Sequence, residues 1–399
     1  MFSLGSSVFR TIYGPIAIAR CYAGHSQAVL SRFSSTVSKS DIGFAFDIDG
    51  VLIKGSKPIP EATEALSYLS VNKIPFVLLT NGGGILESER VTYLNKLLQL
   101  QDHPINTNQI IQSHTPLRTL IAKHHRVLVV GGPGDRSREV AKHYGFKQVL
   151  RPIDIIRSNP SICPHHRYTE REIKEWGLPP EESKVSVGNA NCNEPIDSIM
   201  IFNDPREMFS DLQIMLDLLN SEYGLLGTKR LANRSKPSIP IIFSNNDFYW
   251  ANDFPLPRLG QGAVKLAVES LYSKMNDGMP LQSLTLGKPY KVSYDYAYHI
   301  LIDWREKLLS GNTDSDVCLP ELNDPPIKSP FKHVYMVGDN PESDILGGND
   351  YGWNTILVRT GVYKDGDFVT NPALPQPNFG IVDNVKEAVK IALEKNGLY

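Results

Sequence analysis

Two carboxylates two residues apart, Asp47 and Asp49, follow the apolar stretch 44–46 near the start of the chain. The stretch predicts a buried strand, and open α/β sheets bind ligands beyond the carboxyl ends of such strands. Gly50 predicts a turn that brings Asp49 over the crevice beside Asp47. Two carboxylates held close together resist ionising unless a cation lies between them or one of them keeps a proton. The pair therefore predicts a centre that combines a metal, an acid and a nucleophile.

The elements that follow bring further polar residues to the same edge of the predicted sheet. Apolar spacing predicts a helix over residues 61–72 and a strand over 76–79, which ends at Thr80 and Asn81. A strand, a helix and a strand in close succession form a right-handed parallel unit. We therefore expect Thr80 at the same edge as Asp47.

Two later segments also read as strands that end in charged side chains. One precedes Lys288, and the other precedes Asp339, which Asp344 follows five residues later. Carboxylates gathered in one crevice are costly to bury without partners. Their joint presence with a lysine at predicted strand ends therefore favours an active site over a structural cluster.

Between these segments, over residues 120–259, the crevice-lining pattern is lost. Strand signals at 198–202 and 239–244, with a helix signal between them, predict a second α/β domain, because a structureless insertion of this length is rare in a compact fold. The sequence thus predicts a parallel-sheet core over 41–119 and 260–399 that is interrupted by an inserted domain.

Residues 1–40 differ in composition from the rest of the chain. They contain Arg10, Arg20, Arg32 and Lys39, many serines and no acidic residue. This composition is typical of a mitochondrial transit peptide, so we expect the protein in mitochondria, in the matrix; a disordered basic tail is the alternative. The apolar run 13–19 is too short to span a membrane, and no other stretch qualifies.

Overall charge and cysteine content exclude several classes of protein. The 399 residues include 43 acidic and 41 basic side chains, which leaves no surplus positive charge for a nucleic-acid partner. The four cysteines form no CxxC pair, so we expect neither a disulfide framework nor a structural zinc site.

Four short signatures stand in a fixed order along the chain. They are DxDGV at 47–51, TN at 80–81, GKP at 287–289 and GDNxxxD at 338–344. In this order the sequence resembles the haloacid dehalogenase (HAD) superfamily of hydrolases, and more narrowly its subfamily IIA. The resemblance implies a Rossmann-like core with a parallel sheet and an inserted α/β cap domain between the second and third motifs.

Further segments narrow the resemblance. TNGGG at 80–84, NNDxxW at 245–250 and PRLGQGA at 257–263 stand together with the basic leader. With these, the sequence is similar to the mitochondrial hydrolases of the cat eye syndrome critical region type, over residues 41–399. Many subfamily members carry TNNS where this chain has TNGG, which removes side-chain donors near the phosphate and suggests slow turnover on generic substrates.

The resemblance implies a role for each strand-end residue. Asp47 would be the nucleophile that forms an aspartyl phosphate, and Asp49 would act as general acid and then as general base. Thr80, with the amides of Asn81 and Gly82, would bind the phosphoryl oxygens. Lys288, counted among both the catalytic and the substrate-binding residues, would neutralise charge on Asp47 and the phosphate.

The same resemblance implies a Mg²⁺ site. Asp339 would bind the ion together with the Asp47 carboxylate and the main-chain carbonyl of Asp49, and Asp344 would hold Lys288 or a metal-bound water. An oxygen-only donor set completed by water and phosphate is what Mg²⁺ prefers.

Substrate choice is expected to reside in the inserted domain. Arg258, together with Asp247 and Trp250, is expected to line a pocket for the leaving group; alternatively, Asp247 caps a turn and Trp250 belongs to a core. The CPHH segment at 163–166 is interpreted as a solvated loop. RVLVVGGPGD at 126–135 is interpreted as a strand and turn, since it lacks both GxGxxG and the P-loop lysine.

The sequence therefore predicts a Mg²⁺-dependent phosphatase that acts on a small phosphorylated metabolite in mitochondria, with a homodimer formed through the cap. Two alternatives stay open at this stage. One is a catalytically weak binding or scaffold protein on the same fold, and the other is a phosphotransferase that passes the phosphoryl group to an acceptor other than water.

Overall fold

The computed structural model describes residues 37–185, 194–231, 236–250, 258–315 and 319–399, together with 254, 256 and 317. The predicted leader lies outside these residues up to residue 36. The folded unit begins at Val37, where the side chain of Lys39 donates to Asn72 and Arg305 donates to the Ser40 carbonyl. Residues 37–40, predicted to end the leader, therefore belong to the folded unit.

The strands follow one another along the chain as short, mostly buried segments. They are β1 Ile42–Phe46, β2 Ile53–Lys54, β3 Lys57–Pro58, β4 Phe76–Leu79, β5 Ile110–Ile111, β6 Arg126–Val130, β7 Gln148–Leu150, β8 Ser198–Ile201, β9 Ile241–Phe243, β10 Tyr249–Trp250, β11 Arg258–Leu259, β12 Leu284–Thr285, β13 His333–Gly338, β14 Asn354–Val358 and β15 Gly380–Val382.

Helices connect most of these strands. They are α1 Pro60–Val71, α2 Glu87–Leu97, α3 Arg136–Tyr144, α4 Pro152–Ser158, α5 Glu170–Trp176, α6 Pro180–Ser183, α7 Met208–Leu219, α8 Gln261–Met275, α9 Lys291–Ser310, α10 Leu346–Asp350, α11 Asp367–Thr370 and α12 Val385–Lys395. In the described part of the chain, no helix is both long enough and apolar enough to cross a membrane.

The first sheet has six strands in the order β15-β14-β13-β1-β4-β5. All its pairings are parallel, and the register places Phe44 of β1 beside Tyr335 of β13 and Phe76 of β4. The order of connection reverses between β1 and β13. Open α/β sheets bind their ligands outside the carboxyl ends of the strands at such a reversal.

The second sheet has five strands in the order β12-β9-β8-β6-β7, again parallel throughout. The α/β fold class with two parallel sheets is thus confirmed. The predicted boundary at residue 260 differs from the structure. Helix α8 packs through Val264, Val268 and Tyr272 on the second sheet's core, and β12 pairs with β9. The second sheet therefore takes the chain as far as Thr285.

Helices cover both faces of the first sheet. On one face, Phe44 and Phe46 pack with Leu66 of α1 and Leu393 of α12. On the other face, Ala45 packs with Leu301 of α9. Helix α9 also links the two sheets, because Val292 near its start packs in a core formed by the second sheet.

A buried ion pair fixes the second sheet's helices. The guanidinium of Arg138 on α3 donates to both carboxylate oxygens of Asp154 on α4 at 2.9 Å, and their side chains are only 1% and 0% exposed. Arg138 also donates to Asp135 and to the carbonyl of Trp176. Because both charges are withdrawn from water, removing one partner leaves the other uncompensated.

We predict that Asp154→Asn lowers the free energy of unfolding by about 3 kcal/mol. Denaturant midpoints measured by circular dichroism test this. Glu139→Gln, which breaks the exposed pair with Arg136, is the matched control and should change the free energy by less than about 1 kcal/mol. Equal midpoints for the two variants would contradict the structural role of the buried pair.

Candidate active site

Lys288 lies between two carboxylates at the carboxyl edge of the first sheet. Its Nζ is 2.8 Å from Oδ1 of Asp47 and 2.7 Å from Oδ1 of Asp344. Asp47 directly follows β1, and its amide donates to the Val337 carbonyl in the neighbouring strand. Asp47 keeps 11% of its side-chain surface exposed, whereas Asp344 keeps none. A ligand in the crevice can therefore reach Asp47, whereas the buried Asp344 acts on the site through Lys288.

The loop after β13 positions the other carboxylates. Oδ2 of Asp344 accepts the amides of Asp339 and Asn340, at 3.1 and 3.0 Å, because a π-helical turn over Pro341–Ile345 folds it back onto the loop. Oδ2 of Asp339 accepts the Val362 amide at 2.6 Å. Asp344 thus has partners on both of its oxygens, an arrangement that suits holding Lys288 better than binding a metal directly.

Lys288 reaches the site from the second sheet. It follows β12, and its backbone forms a reciprocal pair with the side chain of Asn81: the Lys288 amide donates to Oδ1 at 2.7 Å and the Lys288 carbonyl accepts from Nδ2 at 3.0 Å. Nδ2 also donates to Asp247, and the Asn245 side chain donates to the Asn81 carbonyl. Asn81 therefore joins the ends of β4, β9 and β12.

Gly50 allows close packing around Asp339. Its φ is +86°, in the left-handed region that favours glycine, and a Cβ at this position would overlap the Asp339 carboxylate. The Thr360 hydroxyl donates to the Gly50 carbonyl and closes the turn from the other side. The turn predicted at Gly50 is therefore present, and it carries the chain directly over Asp339.

The charges of the site act strongly on one another. Burial raises the pKa of Asp47 well above its usual value; Lys288 opposes the rise, and Asp344 and Asp339 add to it. Burial and the charge of Asp344 raise the pKa of Asp339 to about 7. Burial disfavours the charged form of Lys288, but attraction to Asp344 and Asp47 outweighs that cost and raises the pKa of the amine.

The charge of the carboxylate cluster fits a divalent cation. Carboxylate oxygens of Asp47, Asp339 and Asp344 all lie within 4.8 Å of one another, and all three residues are buried. Three carboxylates against the one ammonium of Lys288 leave an excess of negative charge away from water, which a bound cation would compensate. Oxygen donors without nitrogen or sulfur suit Mg²⁺.

The loop after β4 lies beside this centre, but one of its predicted donors is already engaged. Thr80 is buried, and its Oγ1 accepts the Gly82 amide at 3.0 Å. The Gly82 amide, predicted to bind the phosphate, donates to Thr80 here, and the Thr80 hydroxyl proton and the Asn81 amide remain available to donate. The Asp49 carboxylate, 57% exposed, lies near Gly82 and pairs with Arg90 at 3.4 Å.

The structure gives Arg258 no contact with the carboxylate centre among the described residues. It lies exposed on β11, with its guanidinium 4.9 Å above the Phe254 ring. Trp250, its partner in the hairpin, is also exposed, so the alternative that Trp250 belongs to a core is wrong. Asp247 does reach the site, through Asn81. In the CPHH segment, Cys163 is buried in the second sheet's core and His165 is exposed.

Sequence reasoning missed the groups that hold the predicted residues in place. The sequence does not indicate that Arg90 contacts Asp49. Helix α2 follows an irregular glycine-rich loop, so the direction in which Arg90 points from the helix cannot be derived from the sequence. The Val362 amide and Thr360 follow β14, whose sequence gives no sign of a turn back toward Asp339. The NND segment was the available signal for Asn245.

Comparisons with known proteins agree with this geometry. Residues 44–147 match a family model described as haloacid dehalogenase-like hydrolase, and residues 285–388 match one described as HAD-hydrolase-like. A mitochondrial hydrolase of Saccharomyces cerevisiae is 47% identical over 370 residues, which cover 91% of this chain and 98% of the yeast protein. The chain belongs to the haloacid dehalogenase-like hydrolases.

Two further comparisons extend this relationship. A cardiolipin synthase (CMP-forming)/mitochondrial hydrolase fusion protein of Schizosaccharomyces pombe is 40% identical over 366 residues, which cover 91% of this chain and 55% of the fusion protein. A 4-nitrophenylphosphatase of Thermotoga maritima has a similar fold, with a TM-score of 0.53 and 15% identity over 88% of this chain and 98% of its own. The HAD-like fold therefore extends over both sheets.

The cluster of carboxylates in this HAD-like hydrolase should lower the stability of the metal-free protein and should also bind the metal. Asp339→Asn removes one of three mutually repelling carboxylates, so without metal we expect the thermal midpoint to rise by a few degrees, equivalent to about 1 kcal/mol. The same variant should lose the stabilisation that Mg²⁺ gives the wild type. Thermal unfolding with EDTA and with Mg²⁺ measures both effects.

Asp49→Asn is the control for this prediction, because the exposed Asp49 side chain should change the metal-free midpoint little. A destabilised Asp339→Asn variant that keeps its Mg²⁺ response would contradict the assignment of the cation to these carboxylates.

Proposed function

We propose that the protein is a Mg²⁺-dependent phosphomonoester hydrolase that acts on a small phosphorylated metabolite through an aspartyl-phosphate intermediate. One observation carries the proposal: buried carboxylates of Asp47, Asp339 and Asp344 converge at the strand reversal of the first sheet, where the amine of Lys288 pairs with Asp47 and Asp344. Phosphoryl transfer needs mainly positioning and charge stabilisation, and this cluster offers both.

The nucleophile in this scheme is Asp47. One of its carboxylate oxygens attacks phosphorus, and the bond between phosphorus and the leaving oxygen breaks. Lys288 fixes the Asp47 carboxylate, and Asp344 fixes Lys288. The Thr80 hydroxyl lies beside the same crevice and is available to donate to a phosphoryl oxygen. Mg²⁺, held by Asp47, Asp339 and the Asp49 carbonyl, would supply the positive charge that stabilises the transferring phosphoryl group.

The general acid and base in this scheme is Asp49. It gives its proton to the leaving oxygen in the first step and takes one from the attacking water in the second, which releases inorganic phosphate and restores Asp47. Its side chain is exposed beside Gly82, where both the leaving oxygen and the attacking water can reach it. Arg90 at 3.4 Å orients it.

The full-length protein should release phosphate from at least one member of a broad panel of phosphorylated metabolites with Mg²⁺. Asp47→Asn should lower the rate by at least about a thousandfold, because the nucleophile is lost, and Asp102→Asn, an exposed aspartate outside the site, should leave it unchanged. Phosphate release measured across the panel tests this. Wild type and Asp47→Asn equally inert on every compound would contradict hydrolysis.

Asp49→Asn should slow hydrolysis of alkyl phosphates by about a hundredfold or more. The first turnover of 4-nitrophenyl phosphate should slow much less, because nitrophenolate leaves without a proton, whereas the second step, which uses Asp49 as a base, is common to both substrates. Rapid-quench rates of leaving-group release in the first turnover therefore separate the role of Asp49 as an acid from a general loss of folding. Equal losses in these first-turnover rates on both substrates would contradict that role.

The mitochondrial assignment is supported by two observations. Residues 1–40 are basic and free of acids, and the relatives from Saccharomyces cerevisiae and Schizosaccharomyces pombe are both named as mitochondrial hydrolases. The matrix is the destination that a presequence of this type implies.

The cap role belongs, in this proposal, to the second-sheet region. It contributes Lys288 and contacts the loop after β4, so it can select substrates by the leaving group. A homodimer would form through the exposed apolar side chains of this region, which include Phe248, Tyr249, Trp250 and Leu259.

Product analysis with added alcohols distinguishes transfer of the phosphoryl group to an alcohol acceptor from transfer to water.

A further inference from the structure

A cavity of about 310 Å³ lies at the carboxyl edge of the second sheet, beside the glycine-rich turn that follows β6. The order of connection in this sheet reverses between β6 and β8. Its walls include the glycine-rich turn after β6, arginines and aromatic rings: 132–134, Arg151, Arg167, Tyr168, Trp176 and Arg206. The position is the one at which open parallel sheets bind ligands.

The glycine-rich turn shapes one wall of this cavity. Gly132 and Gly134 have φ values of +77° and +52°, and the Gly132 amide donates to the Asp204 carbonyl after β8. The Trp176 ring lies against Gly134, within 3.6 Å of where a Cβ would stand. A flat aromatic surface thus lies beside Gly134, which has no side chain to obstruct a ligand.

The cavity wall contains three arginines, Arg151, Arg167 and Arg206, together with two acids, Glu172 and Glu207. Arg151 is 5% exposed, and its Nε–H has no hydrogen-bond partner there. Its Nη1 contacts the Gly134 carbonyl and Asp135, but Asp135 also serves Arg138. A buried guanidinium with an unpaired donor is costly to keep.

The other two arginines are exposed at the rim. Arg167 has no hydrogen-bond or ion-pair partner among the described residues, and Arg206 donates to the Asp204 carbonyl. Each acid of the lining has one oxygen engaged: Glu172 accepts from Thr169, and Glu207 accepts from Ser210. Arg167 is thus the charged lining side chain that has no partner among the described residues.

We propose that this cavity binds a small metabolite with a phosphate group and a planar ring, of the nucleoside monophosphate class. The phosphate would accept from Arg167 and Arg206, as guanidinium groups bind phosphate in two-point geometry. The ring would stack against Trp176. The cavity shares no lining residue with the Asp47 centre, so this site is separate from the one proposed for hydrolysis and does not rest on it.

Binding of AMP and of inorganic phosphate to the full-length chain tests the proposal by isothermal titration calorimetry. All proteins carry Asp47→Asn, so that turnover does not consume the probe. Arg167→Gln with Arg206→Gln in this background should weaken AMP binding about tenfold or more. Arg171→Gln is the matched control, because Arg171 is an exposed arginine on α5 that does not line the cavity, and it should leave affinity unchanged.

Trp176→Leu separates the two parts of the ligand. It should weaken AMP binding and leave phosphate binding unchanged, while equal effects on both probes would contradict ring stacking. Arg167→Gln alone, at a residue without partners, guards against a folding defect in the double variant. AMP affinity that is unchanged by removing both arginines, or no saturable binding of AMP up to millimolar concentration, would overturn the proposal.

Discussion

The ion pairs of Lys288 with Asp47 and Asp344 are the interactions on which the rest of the site depends. An ammonium and carboxylates withdrawn from water are stable only when each charge has partners, and here one amine serves two acids at 2.8 and 2.7 Å. Asp344 is further fixed by two backbone amides. Asp344, Lys288 and Asp47 thus form a continuous network of ion pairs, and Asp47 at its end has the accessible carboxylate.

This network of ion pairs requires residues from both sheets. Asp47 and the loop of Asp339 and Asp344 come from neighbouring strands of the first sheet, whereas Lys288 follows a strand of the second. The side chain of Asn81 hydrogen-bonds to the backbone amide and to the backbone carbonyl of Lys288 and so connects the two sheets at the site itself. Any movement of the second-sheet region would therefore be transmitted directly to the residue that holds Asp47.

The sequence predicted the strand-end positions of Asp47, Lys288 and Asp339, because an apolar run followed by a charged residue marks the end of a buried strand. The structure brings Lys288 to Asp47 and Asp339 beside Asp47. The sheet to which β12 belongs could not be found, since a two-residue strand carries no periodicity that distinguishes one sheet from another. Arg258 was expected near the site, yet its contacts lie on an exposed hairpin.

The hydrogen bonds that tune the site were also beyond sequence reasoning. The Gly82 amide donates to the Thr80 hydroxyl, a bond that the conformation of the loop determines. Likewise, the glycine-rich turn after β6 lacks a known phosphate-binding signature. The arginines of the cavity beside this turn come from segments far apart in the chain. Such assemblies become visible only when the fold has brought them together.

Chemical trapping of the intermediate tests the central claim most directly. The full-length protein is quenched during turnover of its best substrate with Mg²⁺ and reduced with borohydride, which converts an aspartyl phosphate to homoserine, and the peptides are then sequenced by mass spectrometry. The account predicts homoserine at position 47 in a fraction that depends on substrate and metal. Turnover with Asp47 unmodified, or modification of a different carboxylate, would contradict it.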